Sequence, residues 1–130
     1  MKKTFAILFA ATIATAIVAC GGSDTKEKNT VTANTTDISA DPNYKKGLEL
    51  IGKSDCLTCH KINEKSTGPA YSDVAAKYAP AADTTIQRLA GKIIKGGAGV
   101  WGAIPMTPHP QVPQADAEQM VKYILLLKNS

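Results

Sequence analysis

Cys56, Cys59 and His60 fall within one short stretch, "DCLTCHK". Two thiols and an imidazole at this spacing suit three kinds of chemistry: a redox dithiol, half of a zinc site, or an attachment point for a haem. A thioredoxin-like dithiol follows a strand and opens a helix in a βαβ setting. Here a helical pattern precedes the cysteines, and no strand pattern is found. Zinc takes four ligands from Cys, His or carboxylates. Beyond the cluster the chain offers His109 and no second cysteine pair. The haem reading therefore leads. In C-x-x-C-H each thiol forms a thioether with one of two neighbouring vinyl groups. The histidine next in sequence is then held beneath the iron as an axial ligand.

A haem carrier needs a sixth iron ligand, and the chain has three methionines. Met1 belongs to the leader described below. Met120 lies on the apolar face of a helical pattern, where it reads as core. Met106 sits in "GVWGAIPMTPHP", bracketed by Pro105 and Pro108. Proline fixes φ and removes a donor, so this loop is stiff and non-helical. Met106 is the expected ligand and His109 its rival. A His/Met pair raises the reduction potential relative to more basic ligation.

Three amphipathic helices and one shorter helical piece are expected to position these residues. The first opens at Asp41-Pro42, an acidic cap followed by proline at the first helical position. Its apolar face is Tyr44, Gly47, Leu48 and Ile51. A short helix is expected between Pro69 and Ala79. The next long helix starts near Asp83 or Thr84, with Ile86, Leu89, Ala90, Ile93 and Ile94 on its face. Gly96-Gly97 stops it with a left-handed cap. The last starts after Pro113 and buries Ala117, Met120, Val121, Ile124 and Leu125. Asp116 and Glu118 near its start and Lys128 near its end suit the helix dipole. No useful length alternates at period two, so no sheet is expected and the fold class is all-α. Three short helices make a thin core, which a large apolar body at the centre would complete.

The chain opens "MKKTFAILFAATIATAIVAC". Lys2 and Lys3 precede an apolar run of 15 residues from Phe5 to Ala19. A membrane-spanning helix needs about 20. Residues 1–19 therefore read as a cleaved export signal. Ile17-Val18-Ala19-Cys20 resembles the bacterial lipobox, which implies that Cys20 is lipidated and becomes the new N-terminus. Residues 20–40 are polar and nearly free of large apolar groups, as a flexible tether would be. A coil of about 20 residues reaches about 25 Å. The globular domain is expected over residues 41–130. Removing the two leader lysines from 15 basic residues leaves 13 against 11 acidic ones. That balance is too mild to argue for nucleic acid.

"CLTCH", "GPAYSDVAAKYA" and "GGAGVWGAIPMTPHP" together resemble the small monohaem bacterial class I cytochromes c of the c-551/c-552 type. The resemblance spans about Asp41 to Lys128. It implies a compact all-α fold around one covalently attached haem c, with the N- and C-terminal helices crossing closely. Gly47 fits that crossing, and Tyr123 takes the family's aromatic position on the last helix. The resemblance also implies that the Pro69 carbonyl accepts a hydrogen bond from the axial His60, and that Trp101 bonds a haem propionate. A family arginine near that propionate is replaced here by Lys92, which offers a point contact where arginine offers a fork. The family's asparagine beyond the methionine is replaced by His109.

One-electron transfer is the expected function, with the iron cycling between ferric and ferrous and no catalytic residue. The expected partners are redox proteins of the cell envelope: a terminal oxidase, a quinol-oxidising complex, a dehydrogenase or a reductase. Lys53, Lys61, Lys65, Lys92 and Lys95 are candidates for a docking rim. The expected location is periplasm-facing and held to a membrane by the lipid anchor, with a monomer as the default state. The alternative is a tethered electron-entry subunit dedicated to one oxidase or dehydrogenase complex. A haem peroxidase or gas sensor is a third reading and would need an open iron site.

Overall fold

Helix α1, Pro42–Lys53, starts where its capping residues place it. The Asp41 carboxylate accepts the Asn43 N–H at 2.7 Å, and Pro42 occupies the first helical position. The computed structural model describes residues 37–129. The expected signal segment, Cys20 and all of the expected tether up to residue 36 lie outside these described residues. Ahead of α1, Ile38–Ala40 forms a 3₁₀ turn capped by Asp37, and Ile38 packs against the core.

The remaining helices are α2, Tyr71–Tyr78; α3, Asp83–Lys95; and α4, Gln114–Leu126. Short 3₁₀ turns occupy Cys56–Thr58 and Leu127–Asn129. Between α3 and α4 runs a small antiparallel hairpin of β1, Gly97–Gly99, and β2, Gly102–Met106. The fold is mostly helical, but the expectation of no sheet at all is corrected by this ribbon. Alternation could not signal it, because its strands are only three and five residues long and rich in glycine. Glycines carry it instead: Gly97, Gly99 and Gly102 all have positive φ.

Helix α4 is the axis of the core. It packs on α1, α2 and α3. Met120 and Tyr123 on α4, with Ile51 on α1, are the largest fully buried side chains. The α1–α4 crossing is close because Gly47 has no side chain. A Cβ there would collide with Tyr123 Cβ and reach within 2.9 Å of the Gln119 carbonyl. Tyr44 meets Tyr123 edge to face at 5.3 Å, and Gln119 Nε2 donates to Asn43 Oδ1 at 3.0 Å. Leu48 departs from expectation and is 38% exposed. The contact line runs through Gly47 and Ile51, and Leu48 lies about 100° around the helix from Gly47.

Helix α3 buries Ala90 and Ile93 and ends at Gly96, as expected. The cap is not the left-handed helical one. Gly96 has φ 67° and ψ −153°, a region open essentially to glycine alone. A Cβ there would collide with the Met106 carbonyl and approach Pro108 N at 2.8 Å. The end of α3 and the end of β2 are thus pressed together at a glycine.

Candidate functional site

Asp55 has φ 55° and turns the chain out of α1 into the 3₁₀ turn at Cys56–Thr58. An aspartate tolerates this left-handed conformation better than most residues. The turn is closed by Thr58 N–H to Asp55 O at 3.0 Å and His60 N–H to Cys56 O at 3.0 Å. It brings Cys56, Cys59 and His60 onto the wall of one cavity of about 430 Å³. The two cysteines form no disulfide with each other.

His60 is held on three sides. Its Nδ1 lies 2.8 Å from the Pro69 carbonyl oxygen. Its ring stacks on Tyr71 with centroids 5.1 Å apart and planes 14° apart. Gly68 lies against the ring so closely that a Cβ would collide with its Cε1 and sit 2.8 Å from Nδ1. The loop returns to make these contacts through Gly68 N–H to Cys59 O and Tyr71 N–H to Lys61 O, both 2.9 Å. A carbonyl can only accept, so Nδ1 is the donor in this contact, and Nε2 is the ring nitrogen left for a ligand bond.

The cavity wall is largely apolar, with Leu89 and Ile93 from α3 and Val121 and Ile124 from α4. Met106, half-buried at the end of β2, lines it. Met120 lines it as well, and is 1% exposed within the core. His109 does not line it. Its main-chain N–H donates to the Ile93 and Ile94 carbonyls, and its buried Nδ1 has no partner among the described residues. Trp101 lines the cavity, is 42% exposed, and meets Tyr78 edge to face at 6.5 Å. Lys92 also lines it, with Nζ 3.5 Å from the Gly96 carbonyl.

These residues suit a haem better than the rival chemistries. Burial pushes the Cys56 thiol up, with a hydrogen bond to Tyr71 opposing part of the shift. A protonated thiol is a poor nucleophile, which disfavours a reactive dithiol. No group of three or more Cys, His, Asp or Glu side chains suited to a metal occurs among the described residues, which disfavours zinc. A large apolar cavity carrying two thiols, a bare imidazole nitrogen and a thioether fits a haem joined through two thioethers and ligated from the protein.

The comparisons agree. The family model for cytochrome c matches residues 44–128.

The chain belongs to the cytochrome c family.

It is 48% identical over 80 residues to cytochrome c-552 of Hydrogenobacter thermophilus, covering 62% of this chain and 80% of that one. It is 43% identical over 91 residues to cytochrome c-551 of Allochromatium vinosum, covering 69% and 95%. The crystal structure of Nitrosomonas europaea cytochrome c552 aligns with a TM-score of 0.57 at 46% identity, covering 62% of this chain and 98% of that one. This cytochrome is accordingly a small class I protein that carries one covalently bound haem c with its iron and transfers electrons; it is not an enzyme.

Several residues of this cytochrome's site were not singled out from sequence. Gly68 and Tyr71 both lie in the quoted "GPAY" stretch, but their packing on the His60 ring is a tertiary contact. Arg88 and Tyr78 line the cavity as well, and the Lys77 ammonium lies 5.7 Å from the Trp101 ring centroid; nothing in their spacing marks them. Of the expected lysine rim, Lys65 and Lys92 line the cavity, whereas Lys53 is paired with Glu49.

Proposed function

We propose that this cytochrome carries one electron at a time between redox proteins of the bacterial cell envelope, with His60 and Met106 as the axial ligands. The observation that carries the ligand assignment is the Nδ1 contact of His60 with the Pro69 carbonyl. That contact leaves Nε2 as the free donor on a ring that lines the cavity. Met106 lines the same cavity, and His109 does not. Cys56 and Cys59 supply the two thioether attachments. The haem, when bound, supplies a single redox equivalent through its iron.

The protein's part is to hold that centre still and dry. Tyr71 and Gly68 fix the plane of the His60 ring, and Pro69 fixes its tautomer and raises its basicity. The closed ends of α3 and β2 at Gly96 hold Met106. Trp101, whose indole N–H has no protein partner among the described residues, is available with Lys92 to bond the propionates. Leu89, Ile93, Val121 and Ile124 exclude water from the interior.

Export, lipidation at Cys20, a tether from residue 20 up to the Asp37-capped turn that packs Ile38 on the core, and a periplasm-facing location complete the reading. They are supported by the apolar run, the lipobox-like end and the polar composition that follows. No described helix is long and apolar enough to cross a membrane. A terminal oxidase, quinol-oxidising complex, dehydrogenase or reductase would be the partner, placing the protein in a respiratory chain.

Absorption spectra of the purified holoprotein test the assignment, taken ferric and ferrous, with and without carbon monoxide. A low-spin spectrum with the weak far-red iron–sulfur band, unchanged by carbon monoxide, is expected. A low-spin spectrum lacking that band would move the sixth position from Met106 to His109. A high-spin haem that binds carbon monoxide would overturn the carrier with both axial sites filled.

A further inference from the structure

Arg88 is the only arginine in the chain; the other 14 of its 15 basic residues are lysines. It stands on α3 and lines the cavity. The cavity wall holds three cationic side chains, Lys65, Arg88 and Lys92, and no acidic one. Arg88 and Lys92 are four residues apart, so one turn of α3 places them on the same face. Their surroundings differ. The Lys92 ammonium already has the Gly96 carbonyl at 3.5 Å. The Arg88 guanidinium has no hydrogen-bond or carboxylate partner among the described residues. Its carbon lies over the Tyr78 ring, 5.3 Å from the centroid. Tyr78 in turn abuts Trp101, so Arg88, Tyr78 and Trp101 make a continuous stretch of the cavity rim.

A haem brings two propionate carboxylates into a seat that is otherwise apolar. Such carboxylates need donors or cations where they emerge. A guanidinium stacked on an aromatic ring is steadied by it. Its N–H groups form a rigid fork that matches a carboxylate two bonds at a time, which an ammonium cannot do. We propose that Arg88, steadied by Tyr78, is the residue that binds a haem propionate with a bidentate fork, and that Tyr78 is its positioning residue. The assignment rests on the haem seat proposed above.

A single arginine makes the test unambiguous. In ¹⁵N-labelled holoprotein the one arginine Nε–H is expected to exchange slowly with water and to show a nuclear Overhauser contact to propionate methylene protons. A fast-exchanging Nε–H with no such contact overturns the proposal. The second measurement is the pH profile of the midpoint potential for wild type, Arg88→Gln, Arg88→Lys and Lys92→Gln. The charged or titratable side chains on the cavity wall are Lys65, Arg88, Lys92, His60, Tyr71 and Tyr78, besides the two attached cysteines, and the Lys77 ammonium lies beside them over the Tyr78 and Trp101 rings. Removing an adjacent cation raises a carboxyl pKa by about one unit or more. Arg88→Gln should therefore move the propionate-linked step upward by about that much, Arg88→Lys by less, and Lys92→Gln least. A lower melting temperature in Arg88→Gln with an unmoved profile would make Arg88 a packing residue only, and the proposal fails. If Arg88→Gln yields no holoprotein, the wild-type Nε–H result decides. A wild-type spectrum lacking the iron–sulfur band would defeat the His60/Met106 reading while leaving the Nε–H test of Arg88 intact.

Discussion

His60 Nδ1 lies 2.8 Å from the Pro69 carbonyl oxygen, and this contact sets the tautomer of the ring. A bond donated from Nδ1 makes the imidazole a stronger electron donor through Nε2 and so favours the ferric state. Pro69→Ala keeps the carbonyl but frees φ, which weakens the bond. The midpoint potential should rise by on the order of 10–40 mV, the one-electron equivalent of a fraction of a hydrogen bond. Direct electrochemistry of the two holoproteins measures it. An unchanged or lower potential would show that the Pro69 contact does not tune the ring.

Gly68 confines the same ring from another direction. In Gly68→Ala the new methyl collides with His60. The expected cost is about 1–3 kcal/mol in denaturant unfolding, accompanied by a changed ligand-field spectrum. A cost without any spectral change would mean that the loop, not the ring, had moved.

Met106 and Met120 both line the cavity, and their substitution should separate ligand from packing. Met106→Ala should lose the iron–sulfur band and gain carbon monoxide binding. Met120→Leu should keep the band and cost less than about 1.5 kcal/mol, as volume-conserving core swaps do. If Met120→Leu is the variant that loses the band, the ligand has been assigned to the wrong helix.

Two glycines of α1 should respond oppositely to alanine. At Gly47 the methyl meets Tyr123 Cβ and the Gln119 carbonyl. The clash should outweigh the helix-propensity gain and destabilise by about 1–3 kcal/mol. At Gly52 nothing lies within 4 Å, so alanine should stabilise by about 0.5–1 kcal/mol. Urea midpoints of the two variants check the sign.

Burial pushes the Tyr71 phenol far above its ordinary range. Burial also raises Tyr123, helped by Tyr44. The folded state therefore holds these protons when the unfolded chain has released them. By linkage, their contribution is fully present below the unfolded phenol pKa of about 10 and is lost as pH rises beyond it. Unfolding free energy should be flat in this respect up to about pH 9 and decline above pH 10. Tyr71→Phe should reduce the slope of that decline. An equal slope in wild type and variant would place the alkaline sensitivity elsewhere.

Local chemistry was legible in the chain. The Cys56, Cys59 and His60 spacing points to thioether attachment, and one turn of backbone does bring the three residues onto one cavity wall. Asp41-Pro42 starts α1 and Gly96 ends α3, since caps and glycine dihedrals act within a few residues. The periods of α3 and α4 marked Ile93, Met120 and Ile124 as inward-facing, and they are buried. The hairpin escaped because its signal is positive-φ glycine rather than alternation. Leu48 was misplaced because a helical face fits several neighbours equally well until α4 selects the Gly47–Ile51 line. The stacking of Tyr71 on His60, and the placement of Arg88 over the Tyr78 ring, join separate segments through the fold. Residue types and spacing name the groups that can do the chemistry. Which ring nitrogen is free, which methionine lies on a β-strand and which cation stands unpartnered on the cavity rim depend on contacts between distant segments, and those exist once α4 has drawn the other helices around one space.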